Sequence, residues 1–190
     1  MSDNRVTQEQ NTVLGDQAGR DVIKHNYNIQ GGPHSVRAMK RLIEKFDEQQ
    51  KNDKTLQGYI AELEQYFAPK NGDVLGVEEK LRESAAANFI EYALEAKESY
   101  NKKVTKYVLY EAAQEINVHL LALTKTYFEF RIKPRLRQGI TEQELGHMIL
   151  EFVINPLWTE LDENPLGFTA TDLAGMLYFL TGNCHITWKN

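Results

Sequence analysis

A chain of 190 residues with 42% apolar and 26% charged side chains holds enough material for one substantial core, which excludes a wholly disordered protein. Its net charge of −5 is unevenly placed: residues 138–190 carry seven acids against the single base Lys189, and so strong an acidic bias there disfavours generic binding to phosphate backbones. No apolar run reaches the ~18 residues of a membrane span, the start shows no leader pattern, and the lone Cys184 can neither staple the chain to itself nor build a thiolate metal cage, so a cytoplasmic location is expected.

In chain order, residues 1–11 are polar and aperiodic and read as a flexible start. Residues 12–32 read as a β arm. Val13 and Leu14 form a short apolar run, Gly15 to Gly19 supply turn residues, and Ile23, His25, Tyr27 and Ile29 alternate with polar positions. Val22 extends the apolar set. The Gly31-Gly32-Pro33 break then separates the arm from a helical domain over 33–190. Ser35 is placed to cap a first helix whose Val36, Met39, Ile43 and Phe46 share a face, and Leu56, Tyr59, Ile60, Leu63 and Phe67 suggest the second half of a helical hairpin. After the loop Ala68 to Asp73, longer helices are expected from about Val77 to Ser99 and from Val104 to Arg131, the second ended by Pro134 and Gly139. Thr141 with Glu144 and Thr169 with Asp172 have the form of capping boxes. The helix after Thr141 is expected to stop near Ile154 and restart at Pro156, and Gly182 to end the last one. Residues 184–188 have strand-like composition but are very short. The fold class is therefore mainly α: a multi-helix domain with a small N-terminal β arm, divided into a helical body over 33–137 and a C-terminal interaction region over 138–190.

Chemistry-bearing residues are sparse. Glu144 and His147 have a Glu-x-x-His spacing with Glu151 one turn on, as carboxylate-bridged metal bundles use, but such bundles need a second motif, and Glu115 with His119 has the wrong spacing. A solvated helix face accounts for them better, so no metal, cofactor or catalytic residue is expected; a metal-dependent helical-bundle enzyme using Glu115, His119, Glu144 and His147 is the alternative. Cys184 beside His185 suggests a thiolate-imidazole pair, but neighbours on an extended segment point apart, which favours a structural cysteine. Arg131, Lys133, Arg135 and Arg137 form the one dense basic run. They lie at a helix end, where cations are favoured, and no interleaved set of stacking aromatics is evident, so an acidic protein partner is preferred to nucleic acid, which remains the second alternative. The segment Gly15 to Asp21 lacks the lysine and hydroxyl of a nucleotide loop.

Two segments resemble families of bacterial conflict systems. Residues 11–23, with Gly15-Asp16 and Gly19-Arg20-Asp21, resemble the short glycine-aspartate β motif of antiviral effectors and adaptors. Residues 135–188, with Gly139-Ile140-Thr141, Glu144-Leu145, Asn155-Pro156-Leu157, Gly175-Met176-Leu177 and Cys184 to Trp188, resemble a C-terminal domain of ABC-three-component systems. The resemblance implies a non-catalytic adaptor or assembly component of an anti-phage defence system that works with an effector or ATPase of the same system. The arm residues Val13, Leu14, Val22, Ile23, His25, Tyr27 and Ile29 are expected to drive homo-oligomerisation, because an isolated hairpin is marginal in water and its open edges call for pairing.

Overall fold

The computed structural model describes residues 33–70, 76–82 and 84–188, and every regular element among them is helical. The β arm and its oligomerisation residues, Val13 to Ile29, lie outside the described residues. Helix α1 spans Pro33–Lys51, α2 Ala61–Phe67, α3 Val77–Arg82, α4 Ile90–Tyr107, α5 Glu111–Tyr127, α6 Lys133–Leu136, α7 Glu142–Ile149, α8 Asn155–Leu161 and α9 Ala170–Gly182. A 3₁₀ turn, Ala87–Phe89, leads into α4, and π turns at Phe128–Ile132 and Leu150–Ile154 join α5 to α6 and α7 to α8.

The centre of the molecule is the pair α4 and α9, which pack along their lengths. Helix α9 is buried on every side from Asp172 to Gly182, so the stripe Leu173, Met176, Leu177 and Leu180 is only one part of its buried surface. An all-round apolar helix is stable only when surrounded. Helix α4 meets it with Ala93, Ala96, Tyr100 and Val104, at helical spacing. Small residues let the two backbones approach closely: a Cβ on Gly175 would lie 2.1 Å from the Ala96 carbonyl oxygen. Buried Asp172 locks the pair together. It closes the capping box with Thr169, whose N and Oγ1 donate to Oδ2 (2.7 and 2.9 Å), while Ser99 Oγ of α4 donates to Oδ1 (2.6 Å).

Helix α5 is the hub for the remaining elements, packing on α1, α2, α4, α8 and α9. Met39, Ile43 and Phe46 bury the inner face of α1 against this hub, each contributing about 1.5–3 kcal/mol by leaving water. Helices α1 and α2 both dock on α5, so the expected hairpin of these two is replaced by two separate attachments. Buried Gln114 of α5 explains why: it accepts from Ile60 N (2.6 Å) and donates to the carbonyls of Gly58 (2.8 Å) and Val108 (2.6 Å), pinning the segment before α2 to α5.

Several sequence-derived boundaries shift. Helix α1 begins at Pro33, where a fixed φ suits a first turn, so Ser35 lies inside the helix. The expected helix 77–99 is interrupted because Ser84 Oγ donates to Leu81 O (2.8 Å) and accepts from Ala86 N (3.1 Å), a local side-chain turn that competes with the helix ladder. The break expected between Ser99 and Val104 instead falls at residues 108–110, since Tyr100 and Val104 continue the buried face of α4. Both capping boxes form as expected. Residues 184–188 make turns. Cys184 adopts φ +62°, and His185 N donates to Leu180 O (2.8 Å), so the tail folds back on α9. There Trp188, 4% exposed, packs on Phe128 (4.9 Å between ring centroids) and donates Nε1–H to Thr181 Oγ1 (2.9 Å).

Candidate interaction cleft

Two sequence features, each a proline inside an otherwise helical run, build the candidate site. Pro134 and Pro156 lack the amide that an α-helical ladder requires, and their rings press on the preceding turn. In both cases the chain widens by one residue instead of stopping. Lys133 N donates to Phe128 O and Asn155 N donates to Leu150 O, five residues back, while the junction residues keep right-handed helical angles. Hence 142–161 is one continuous run, not the expected stop at Ile154 with a restart at Pro156. The first run likewise passes Pro134 and ends at Leu136, followed by Gly139 at φ +76°. Such π turns recur at functional sites because they re-aim side chains and release backbone groups from the ladder.

The two π turns pack on each other, and α7 packs on the first. Between them lies an open cleft of about 660 Å³. One wall carries Phe130, Arg131, Pro134, Arg135 and Gln138, the floor Gly139 and Ile140, and the other wall Glu144, His147, Met148, Glu151 and Phe152. Phe130 is 69% exposed, the most exposed large apolar side chain among the described residues. Arg131 spans the cleft, its guanidinium 5.8 Å from the centre of the Phe152 ring, a cation–π arrangement that holds the fork in place while leaving N–H donors available. Arg135 Nη1 donates to Gln138 Oε1 (3.1 Å).

The acidic groups of the cleft are already engaged. Thr141 N and Oγ1 both donate to Glu144 Oε2 (2.8 Å each), and these bonds hold its carboxyl below the ordinary carboxylate value. Glu151 Oε2 lies 3.2 Å from His147 Nε2. A ligand entering the cleft therefore meets the Arg131 and Arg135 guanidiniums beside two carboxylates with partners within the chain, Glu144 lying also in the field of Arg135.

The predicted basic run thus divides. Arg131 and Arg135 face the cleft, whereas Lys133 is held by Glu129 (2.8 Å) and Arg137 is exposed outside the cleft lining. Phe130 and Phe152 correct the expectation that no aromatic set accompanies these charges; Phe152 reaches Arg131 from a different helical run, which spacing along one segment cannot show. Phe130 did carry a signal. Tyr127, Phe128, Phe130 and Ile132 are too many apolar residues for one helical face, so one of them must face outward.

The four metal-alternative residues have separate partners. Glu115 accepts from Lys45 Nζ (3.0 Å), His119 Nε2 lies 2.8 Å from Glu160 Oε1, Glu144 belongs to its capping box, and His147 pairs with Glu151. Among the described residues no three potential ligands of this kind stand together. Cys184 and His185 also have different neighbours: Lys80 Nζ lies 3.1 Å from Cys184 Sγ, and the His185 ring packs against Tyr66 at 5.4 Å. The left-handed turn at Cys184 separates them, where extended alternation was expected to.

A family model described as C-terminal domain 9 of the ABC-three component (ABC-3C) systems matches residues 76–188, which include every residue lining the cleft. No curated protein matches the chain. No solved structure matches it either. Among the described residues no helix is long and apolar enough to cross a membrane.

Proposed function

We propose that this chain, which belongs to the family of C-terminal domains of ABC-three-component systems, is the non-catalytic adaptor of a bacterial anti-phage defence system and recruits a second protein of that system through the cleft between its two π turns. The observation that carries the reading is the cleft itself. It joins an exposed aromatic ring, Phe130, to two guanidiniums, Arg131 and Arg135, residue types enriched in protein–protein interfaces. The favoured partner is the effector or ATPase of the same system, presenting an acidic segment. The arm over 12–32 is the segment through which copies of the chain associate, so that each assembly displays several clefts.

The test is co-expression of the full chain with the other components of its system, followed by co-purification. Joint replacement R131E and R135E is expected to lower partner recovery at least about tenfold, the loss that follows from breaking charge-assisted contacts, while circular dichroism stays unchanged. Undiminished recovery with the double variant refutes the cleft as the recruiting surface. For self-association, a chain starting at His34 is expected to show fewer subunits per particle by light scattering, and an unchanged subunit count refutes the arm's role.

A further inference from the structure

A second concavity, of about 470 Å³, lies away from the cleft, between the end of α2, the last turns of α5 and the C-terminal tail. Its charged lining is of one sign. Lys70 and Lys125 line it beside His185, Gln65, Tyr66 and Pro69, with no carboxylate of the described residues among them. Bringing like charges into one concavity costs free energy, so the arrangement calls for an anion.

The walls are fixed in place. Asn183 Nδ2 donates to Tyr66 O (2.9 Å), Lys70 N donates to Asn183 O (3.3 Å), and Tyr66 packs on the His185 ring, so the segment bearing Lys70 is tied to the tail bearing His185. Among the described residues His185 Nε2 meets no partner in full hydrogen-bond geometry, although the backbone of Tyr66 and Ala68 lies close enough to act on the ring. Buried polar atoms are normally satisfied, so the nitrogen has capacity for a further partner in the concavity. The charges feel each other: burial and then Lys70 hold the Lys125 ammonium below its ordinary value, and burial, then Lys125, do the same to His185. Among the described residues the carboxylate that acts on Lys125 is Glu129, which also pairs with Lys133.

We infer that this concavity is a binding site for a phosphate-bearing small molecule, its phosphate held between Lys70 and Lys125. Lysine ammoniums act as compact point charges that suit phosphate, and among the described residues lining the concavity there is no guanidinium fork to favour a planar carboxylate. The volume exceeds a bare phosphate and falls in the range of small-ligand sites, with Tyr66 and Pro69 offering an apolar face to the remainder. Lys70 lies outside the segment matched by the family, so the site is assembled across its edge.

Isothermal titration of the full chain with pyrophosphate, AMP and citrate tests the assignment. Saturable one-to-one binding of pyrophosphate or AMP is expected, weakened at least about tenfold in Lys70→Gln and in Lys125→Gln, as loss of a charged hydrogen bond implies. Pyrophosphate binding alone identifies free polyphosphate as the source, and tighter AMP binding identifies a nucleotide. Lys70 is exposed, so its variant keeps the fold, and unchanged circular dichroism verifies this. The inference is overturned if neither phosphate probe binds, if both variants bind as the parent does, if citrate binds more tightly than either, or if only a longer oligonucleotide binds.

Discussion

Replacing Gly175 by alanine puts the packing of α4 on α9 to a sharp test. A Cβ at this position would lie 2.1 Å from the Ala96 carbonyl oxygen and 2.7 Å from Tyr100 Cβ, against the 3.4 Å at which ordinary contact begins. The shortfall of about 1.3 Å falls on the backbone of the neighbouring helix, which no rotamer change can relieve. Overpacking a core costs about 1–3 kcal/mol, and a backbone clash belongs at the upper end. Alanine recovers about 1 kcal/mol of intrinsic helix propensity, leaving a net loss of roughly 2 kcal/mol or more. Gly146 in α7 is the matched control, because its Cβ would meet only Phe89 Cζ at 3.4 Å, an ordinary contact. Gly146→Ala should therefore stabilise the protein by up to about 1 kcal/mol, from propensity alone. Urea unfolding followed by circular dichroism measures both variants. Two variants shifting the midpoint in the same direction, or a Gly175→Ala protein as stable as its parent, would refute the close approach of the two helices.

Asp172→Ala should cost about 2–4 kcal/mol in the same assay, since it removes the carboxylate half of the α9 capping box and strands the donors of Thr169 and Ser99; a loss below about 1 kcal/mol contradicts the described network. Trp188→Ala should cost about 3 kcal/mol or more by uncovering Phe128, and an unchanged midpoint would show that the tail does not cover it. Because the Glu144 carboxyl is held low by Thr141, its contribution is present above the ordinary carboxylate value and is lost as the pH falls through the depressed one. Stability measured between pH 3 and 6 should accordingly fall less steeply with acid in Glu144→Gln. For His185 the half-buried ring resists a proton that the unfolded chain accepts near 6.5, so its contribution is complete above that value and erodes below it. In phosphate-free buffer, His185→Asn should remove that part of the slope, and an unaltered slope refutes the placement of the ring.

How far the sequence speaks for the structure depends on the range of the interaction. Both capping boxes are local, closing over three residues, and both form where Thr141 and Thr169 indicate. The helical class follows from periodicity, as does the buried face of α1. Long-range polar contacts leave no such pattern: Gln114 reaches back to Gly58 and Ile60, and nothing in its neighbourhood marks it as a buried anchor. The prolines mislead in an informative way. A proline in a helical pattern signals a boundary by local rules, yet tertiary packing at 128–132 and 150–154 favours a widened turn over a break. The basic run was legible as a cluster, but its division into cleft-facing Arg131 and Arg135 and the paired Lys133 depends on the turn's altered angular register. The concavity at Lys70, Lys125 and His185 draws its charges from three distant segments and has no linear signature.

The paired π turns also set the mechanical compliance of the cleft. Each wall is suspended from a rigid, core-anchored rod, α5 on one side and α8 on the other, through a five-residue segment whose hydrogen-bonded rings are wide and whose following proline contributes no donor. Phe128, Ile132, Val153 and Ile154 of these segments are nevertheless buried, and the second segment packs on α9, so a rotation of either jaw is transmitted to the packing around α9.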